Sequence, residues 1–374
     1  MKRVAFELQP CCGKPSGIGL YAYELARRME NTDEISYSGW VFNFLGRNDN
    51  SASLSGIDMP IHESRIMPYG VYRRIWNAMP LPYEMMFGSR ADVSVFFNYI
   101  VPPRVSGKVI NTICDMTYLR FPETMNVHNL KRITEGIQRS IDKSSRIITI
   151  SEFSRQEIID LLHVPQEMIS VVPCAPSLTS KAVAYETLKA RYGLAKPYVL
   201  YVGTIEPRKN LIRLIRAFDM IKRETGIEHQ LILAGGSGWN NEEIHRAAEQ
   251  ATCCEDIRFV GYVSAEEKNA LYQHAQALAF PSLYEGFGMP PLEAMYWDCP
   301  VICADAASLP EVAGEAACLV NALDEADIAQ GIWRVLSDEA YAHALRKKGH
   351  EQLKKYSWDV SARKLMRVCE EVLR

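Results

Sequence analysis

Two glutamates, Glu285 and Glu293, are separated by seven residues in the run Glu285-Gly-Phe-Gly-Met-Pro-Pro-Leu-Glu293. A carboxylate accepts hydrogen bonds from the vicinal hydroxyls of a sugar or ribose. Between the acids lie Gly286, Phe287, Gly288 and Met289, then a proline pair suited to a helix start. Upstream, Ala277 to Phe280 reads as a short buried strand, and downstream Leu292 to Trp297 reads as helix. Strand, glycine loop and helix in that order aim unpaired N–H groups at whatever lies above the loop, where anions sit well. Amides for phosphate and acids for hydroxyls together describe a sugar-nucleotide site. A plainer reading stays open for each acid alone: Glu293 as a first-turn helix-dipole acid, Glu285 as a solvated loop acid. Two glycines in one loop favour close approach of a ligand.

A second cluster points to the same chemistry. Tyr198 to Val202 reads as a buried strand, followed by Gly203-Thr-Ile-Glu-Pro-Arg-Lys-Asn210 and a helix with apolar Leu211, Leu214, Ile215 and Phe218. Arg208 and Lys209 stand at that strand-to-helix turn, where two cations can neutralise a diphosphate. A solvated basic pair is the alternative.

Three segments carry a family resemblance: Gly203-Thr-Ile-Glu-Pro-Arg-Lys-Asn-Leu211, Pro281-Ser-Leu-Tyr-Glu-Gly-Phe-Gly-Met-Pro-Pro-Leu-Glu-Ala-Met295 and Ser308-Leu-Pro-Glu-Val-Ala-Gly314. They resemble family 4 retaining glycosyltransferases, and the Glu285/Glu293 spacing matches that family's paired glutamates. The resemblance covers essentially the whole chain and is most specific in the C-terminal half. It implies the GT-B fold, an α/β architecture of two doubly wound, Rossmann-like parallel-sheet domains facing across a cleft. It implies donor contacts at Gly17, Gly19, Gly203, Arg208, Lys209, Glu285, Gly286, Phe287, Gly288, Met289 and Glu293. Catalytic roles fall to Glu285, Arg208, Lys209 and Asp115, with no metal and no cofactor. Glu293 would hold the ribose and Glu285 the donor sugar. Transfer would retain the anomeric configuration, a leaving phosphate oxygen taking the acceptor proton.

The elements that must position these residues alternate along the chain. Strands are expected at Val4 to Leu8, Val41 to Phe44, Val93 to Phe97, Val109 to Ile113 and Arg146 to Ile150. In the second half they include Tyr198 to Val202, Gln230 to Ala234, Ile257 to Val260, Ala277 to Phe280 and Val301 to Ala304. Such alternation implies two parallel sheets. The domains are expected at 1–175 and 176–356, joined near Pro173 and Pro176. The amphipathic segment 357–374 should cross back to the first domain, as in the resembled family.

In the first half, Gly13-Lys-Pro-Ser-Gly-Ile-Gly19 follows a strand and opens a helix. As a dinucleotide fingerprint it is poor, because the turn is too long and no acid ends the second strand. Lys14 is an additional candidate contact for phosphate or acceptor. Asn111-Thr-Ile-Cys-Asp-Met-Thr-Tyr118 places Cys114 where many relatives of the family have histidine, so an imidazole role is absent there. Asp115 reads equally as an orienter of an acceptor hydroxyl and as an Asx-turn. Ser151 reads as a helix N-cap.

Arg65 to Phe87 mixes arginines, aromatics and prolines. It reads as packing against the first domain or, more sharply, as a patch meeting a lipid-linked acceptor at an anionic membrane. A net charge of −3 over 374 residues gives no sign of a nucleic-acid partner. The partners expected are a nucleotide-diphosphate sugar and a glycan or lipid-linked acceptor. Met1-Lys-Arg-Val-Ala-Phe-Glu7 enters a strand directly, which argues against a signal peptide, and ten scattered cysteines read as reduced thiols. The expected location is cytoplasmic, with peripheral contact at the inner face of the membrane. The motif wording leans to mannose from GDP-mannose and bacterial surface polysaccharide. Rhamnose or glucose on dTDP or UDP, a sugar-nucleotide epimerase or phosphorylase, and a non-catalytic nucleotide binder are the other readings.

Overall fold

The computed structural model describes residues 1–13, 16–79, 81–176 and 181–374. The chain divides into two compact units. One comprises Met1–Tyr118, Val127–Cys174 and Trp358–Arg374, and the other comprises Leu119–Asn126 and Ala175–Ser357. Residues 177–180, in the expected joint, lie outside the described residues, as does Lys14.

The first unit is built on a seven-stranded sheet of β1 (Lys2–Glu7), β2 (Ile35–Phe42), β3 (Ile61–Ser64), β4 (Val93–Phe96), β5 (Lys108–Thr112), β6 (Arg146–Thr149) and β7 (Ile169–Val171). The spatial order is β3-β2-β1-β4-β5-β6-β7, and the paired strands run parallel. The second unit has six strands: β8 (Tyr198–Val202), β9 (Gln230–Ala234), β10 (Ile257–Gly261), β11 (Ala277–Phe280), β12 (Val301–Ala304) and β13 (Ala317–Val320). Their order is β10-β9-β8-β11-β12-β13, again parallel. Helices cover both faces of such sheets, so the central strands are apolar throughout. Every residue of β8, β9, β11 and β12 is buried.

The order of each sheet reverses once, between β1 and β4 and between β8 and β11. Loops leaving the carboxyl ends of two such neighbouring strands diverge to opposite faces and open a crevice where ligands bind. Three strands escape the sequence reading: β3, β7 and β13. β3 and β7 close the two edges of the first sheet and β13 closes one edge of the second. An edge strand pairs on one side only, so short or polar segments such as Ile61-His-Glu-Ser64 serve.

The helix Trp358–Leu373 belongs to the first unit. Its buried Trp358 packs on Tyr21, Ser361 donates to the Pro173 carbonyl at 2.7 Å, and Lys108 reaches the Val372 carbonyl at 2.6 Å. The segment Leu119–Asn126, inside the stretch that the sequence assigns to the first domain, clusters with the second unit.

Candidate active site

The two motif loops of the second unit leave β8 and β11, the strands on either side of the reversal. The β8 loop is shaped by backbone close approach. A Cβ on Gly235 would stand 1.8 Å from the Gly203 carbonyl oxygen, so only glycine fits there. The amide of Ile205 then donates to the Gly236 carbonyl at 3.0 Å. Pro207–Lys209 form one 3-10 turn, and Asn210 takes the left-handed conformation at φ 61° before the helix Leu211–Thr225. The Asn210 amide donates to the carbonyls of Pro281, at 3.0 Å, and Ala322, at 2.6 Å, tying this loop to the end of β11.

The β11 loop runs into the helix Met289–Tyr296, with its prolines in the first positions and Gly288 as N-cap at φ 96°. The buried Ser308 hydroxyl is shared between the carbonyls of Glu285 and Phe287, at 2.9 Å each. Ser308 thus fixes the loop that carries the acid.

These loops bring Arg208, Lys209 and Glu285 into one buried network. The Lys209 ammonium donates to Glu285 Oε1 at 2.5 Å, and Arg208 Nη1 donates to Oε2 at 3.1 Å. Arg208 Nη2 donates to Glu206 Oε1 at 2.8 Å, and Nη1 also reaches the Tyr284 carbonyl. Lys209 lies over the Phe280 ring, 5.6 Å from its centroid. The sequence reading treats the cations and the acid as separate contacts; the fold joins them, because β8 and β11 are neighbours. Burial pushes the Glu285 carboxyl up, but Lys209 and Arg208 override it and hold it at about 2. Burial and Arg208 push the Lys209 ammonium down, and Glu285 and Glu206 pull it back up.

Glu293 sits elsewhere than the first turn. The helix starts at Met289, which places Glu293 one turn in, beyond the strongest part of the dipole. Its carboxylate is buried, accepting from Lys268 Nζ at 2.6 Å and the Tyr272 hydroxyl at 3.0 Å. Both partners escape the sequence reading. They stand four residues apart on the helix Ala265–His274, which opens with the capping box Ser264/Glu267. The Ser-x-x-Glu pattern and the i, i+4 spacing were the available signal.

Gly17, Gly19 and Asp115 belong to the first unit. Ser16 caps the helix Gly17–Ala26 through the Gly19 amide at 3.1 Å, and a Cβ on Gly19 would meet the Pro10 carbonyl at 2.3 Å. Gly19 is therefore required for packing, whatever ligand it meets. Asp115 accepts the Thr117 amide at 2.9 Å, which is the Asx-turn alternative. Burial drives the Cys114 thiol well above its ordinary range. Ser151 caps the helix Glu152–Leu162 by accepting the Ser154 amide at 3.0 Å.

A family model described as glycosyl transferases group 1 matches residues 186–352. The O-antigen chain mannosyltransferase B of Escherichia coli is 30% identical, over 96% of this chain and 96% of that protein. A serotype-specific mannosyltransferase, WbdA, of Escherichia coli is 31% identical over 58% of this chain and 28% of that protein. Sucrose-phosphate synthase of Thermosynechococcus elongatus shares the fold, at a TM-score of 0.76 and 17% identity, covering 100% of this chain and 99% of that one. Two parallel-sheet Rossmann-like domains with these neighbours define the GT-B class of α/β enzyme. The chain belongs to the group 1 glycosyltransferases of family 4 and is a hexosyltransferase.

Proposed function

We propose that the chain transfers mannose from GDP-mannose, with retention, to a glycan or lipid-linked acceptor in the synthesis of a bacterial surface polysaccharide. The observation that carries the reading is the similarity to the O-antigen chain mannosyltransferase B along almost the full length of both chains. The geometry of the second unit supports a nucleotide-diphosphate donor. Arg208 and Lys209 stabilise the charge that develops on the leaving diphosphate, as preorganised cations do. The backbone at Gly203 and from Gly286 to Met289 lies against the donor, Glu285 meets the sugar hydroxyls, and Glu293 holds the ribose. The glycines Gly17 and Gly19 approach the diphosphate from the first unit, and Asp115 orients the acceptor hydroxyl. Protein cations fill the charge role, so turnover should survive chelation. The enzyme acts inside the cell, at the inner face of the membrane.

The test is donor hydrolysis across a panel of nucleotide sugars, with the anomeric configuration of product read by NMR. GDP-mannose should be consumed fastest, and Arg208→Ala and Lys209→Ala should each weaken nucleotide-diphosphate binding by about 1.5–3 kcal/mol. Preference for a UDP- or dTDP-sugar would overturn the donor. Unchanged binding in both variants would overturn the diphosphate role.

A further inference from the structure

The first unit holds a cavity of about 560 Å³ that the donor chemistry does not use. Its lining includes Arg73, Arg74, Lys131, Arg132 and Arg139, against one carboxylate, Glu135. Glu135 pairs at 3.8 Å with Lys131. The cations come from two helices, Tyr69–Ile75 and Val127–Lys143. Like charges gathered in a concavity repel one another unless an anion joins them.

Three features set this cavity apart from a solvated basic face. First, Arg132 is half-buried, and its Nε has no hydrogen-bond partner among the described residues. An unmade hydrogen bond at a buried charged group is costly. Burial and the nearby Arg73 both push the Arg132 guanidinium down from its ordinary range. Second, the cavity lies at the reversal of the first sheet. Its wall includes Ile100, just beyond β4, and Arg73 and Arg132 act on Glu7, the last residue of β1. Burial holds the Glu7 carboxyl up at about 8 against the pull of both arginines, so at neutral pH it neutralises little of their charge. Beside Ile100, Tyr99 is held at φ 58°, a conformation costly for a bulky residue and concentrated at functional sites. Third, the segment that brings Arg73 and Arg74 is apolar outside. Ile66, Val71, Ile75, Leu81 and Met85 are all exposed, while Tyr72, Trp76, Tyr83 and Phe87 turn inward to the core. Exposed aliphatic side chains beside a basic cavity match a charged headgroup with a hydrocarbon attached.

We propose that this cavity is a second anion site, which takes the phosphate or diphosphate head of a lipid-borne acceptor at the membrane surface. Arg73 and Arg132 grip the phosphate oxygens from the inner wall, and Arg74 and Lys131 hold them at the rim. Val71 and Ile75 lie against the lipid. The inference rests on the proposed lipid-linked acceptor, but it requires no particular donor.

The test is flotation of the full chain with phosphatidylcholine vesicles carrying either a polyprenyl monophosphate or phosphatidylglycerol at equal surface charge, without any donor. The parent should prefer the polyprenyl phosphate vesicles, and inorganic pyrophosphate should compete. Arg73→Gln with Arg132→Gln should lower that binding about tenfold or more, since each arginine supplies a charge-assisted hydrogen bond. Thermal unfolding reports whether the inner pair still folds, and Arg74→Gln with Lys131→Gln, on the exposed rim, tests the site without touching the core. Equal binding to both vesicles, with equal losses in the variants, would reduce the cavity to diffuse surface charge and overturn the proposal. Pyrophosphate binding without any vesicle preference would overturn the lipid assignment. Unchanged binding in both double variants would overturn the site. None of these outcomes bears on GDP-mannose turnover, which is measured separately.

Discussion

Glu285 and Glu7 are both buried carboxyls, and their partners drive them in opposite directions. Glu285 has two cations within 3.1 Å and is held at about 2, below the ordinary 4.5. A depressed carboxyl stabilises the fold above its ordinary value, and that contribution is lost as pH falls from about 4.5 towards 2. Glu285→Gln should therefore cost about 3 kcal/mol at neutral pH, the gap to the parent closing in acid. Melting curves from pH 7 down to 2.5 check it; a gap independent of pH would sink the ion-pair account. Glu7 has the reverse sign. Its carboxyl is raised from 4.5 to about 8, so the parent loses stability as pH rises through that window. Glu7→Gln should equal the parent near pH 4 and exceed it by a few kcal/mol at pH 9. The acids near the motifs were legible as residues. Glu7 is visible in the sequence only as an acid inside a strand, because the arginines that act on it stand on helices more than sixty residues away.

At the scale of elements, the site depends on two loops whose shape rests on glycine. Gly288 sits at φ 96°, and a Cβ there would meet Leu309 Cδ2 at 2.6 Å. That methyl group can rotate aside, so Gly288→Ala should cost the backbone strain alone, about 1–2 kcal/mol. Gly235→Ala has no such relief. Its Cβ would lie 1.8 Å from the Gly203 carbonyl, so two strand ends must part. A loss above about 4 kcal/mol is expected. Chemical denaturation orders the two variants, and equal losses would show that the β8 and β9 loops yield more easily than their contact implies. Gly288 was legible beside its prolines. Gly235 was not, since nothing near it in sequence names Gly203 as the neighbour. The expected bounds of β8 to β12 agree with the structure to within a residue, but β2 runs Ile35–Phe42 where Val41 to Phe44 is expected, because polar serines interrupt its first half. The edge strands β3, β7 and β13 are only three or four residues long, too short to stand out.

At the scale of the molecule, the first unit is completed by a helix from the far end of the chain. Trp358 is 5% exposed and packs on Tyr21, which itself donates to the Val172 carbonyl at 2.8 Å. Trp358→Ala should remove about 3–5 kcal/mol from the first unit and leave the second unit's transition in place. Calorimetry with and without nucleotide diphosphate assigns the transitions, because the ligand raises most the unit that supplies most of its contacts, here the second. Equal shifts in both would show that the helix stabilises the whole chain.

The alternation of strands and helices, the loop-to-helix turns and the residue types able to meet phosphate and hydroxyls are all legible in the amino-acid order. Those features are local: apolar runs make buried strands, and Gly, Pro and Asn dictate the turns that follow. Which loops meet is set by the fold. Lys209 and Glu285 are 76 residues apart, and Lys268 and Glu293 are 25 apart. They pair because strand order places β8 against β11 and packs the helix Ala265–His274 on the helix Met289–Tyr296. The charge states of Glu285 and Glu7 follow from such meetings. Glu285, in direct contact with two cations, stays ionised, whereas burial outweighs the pull of Arg73 and Arg132 on Glu7 and raises its carboxyl.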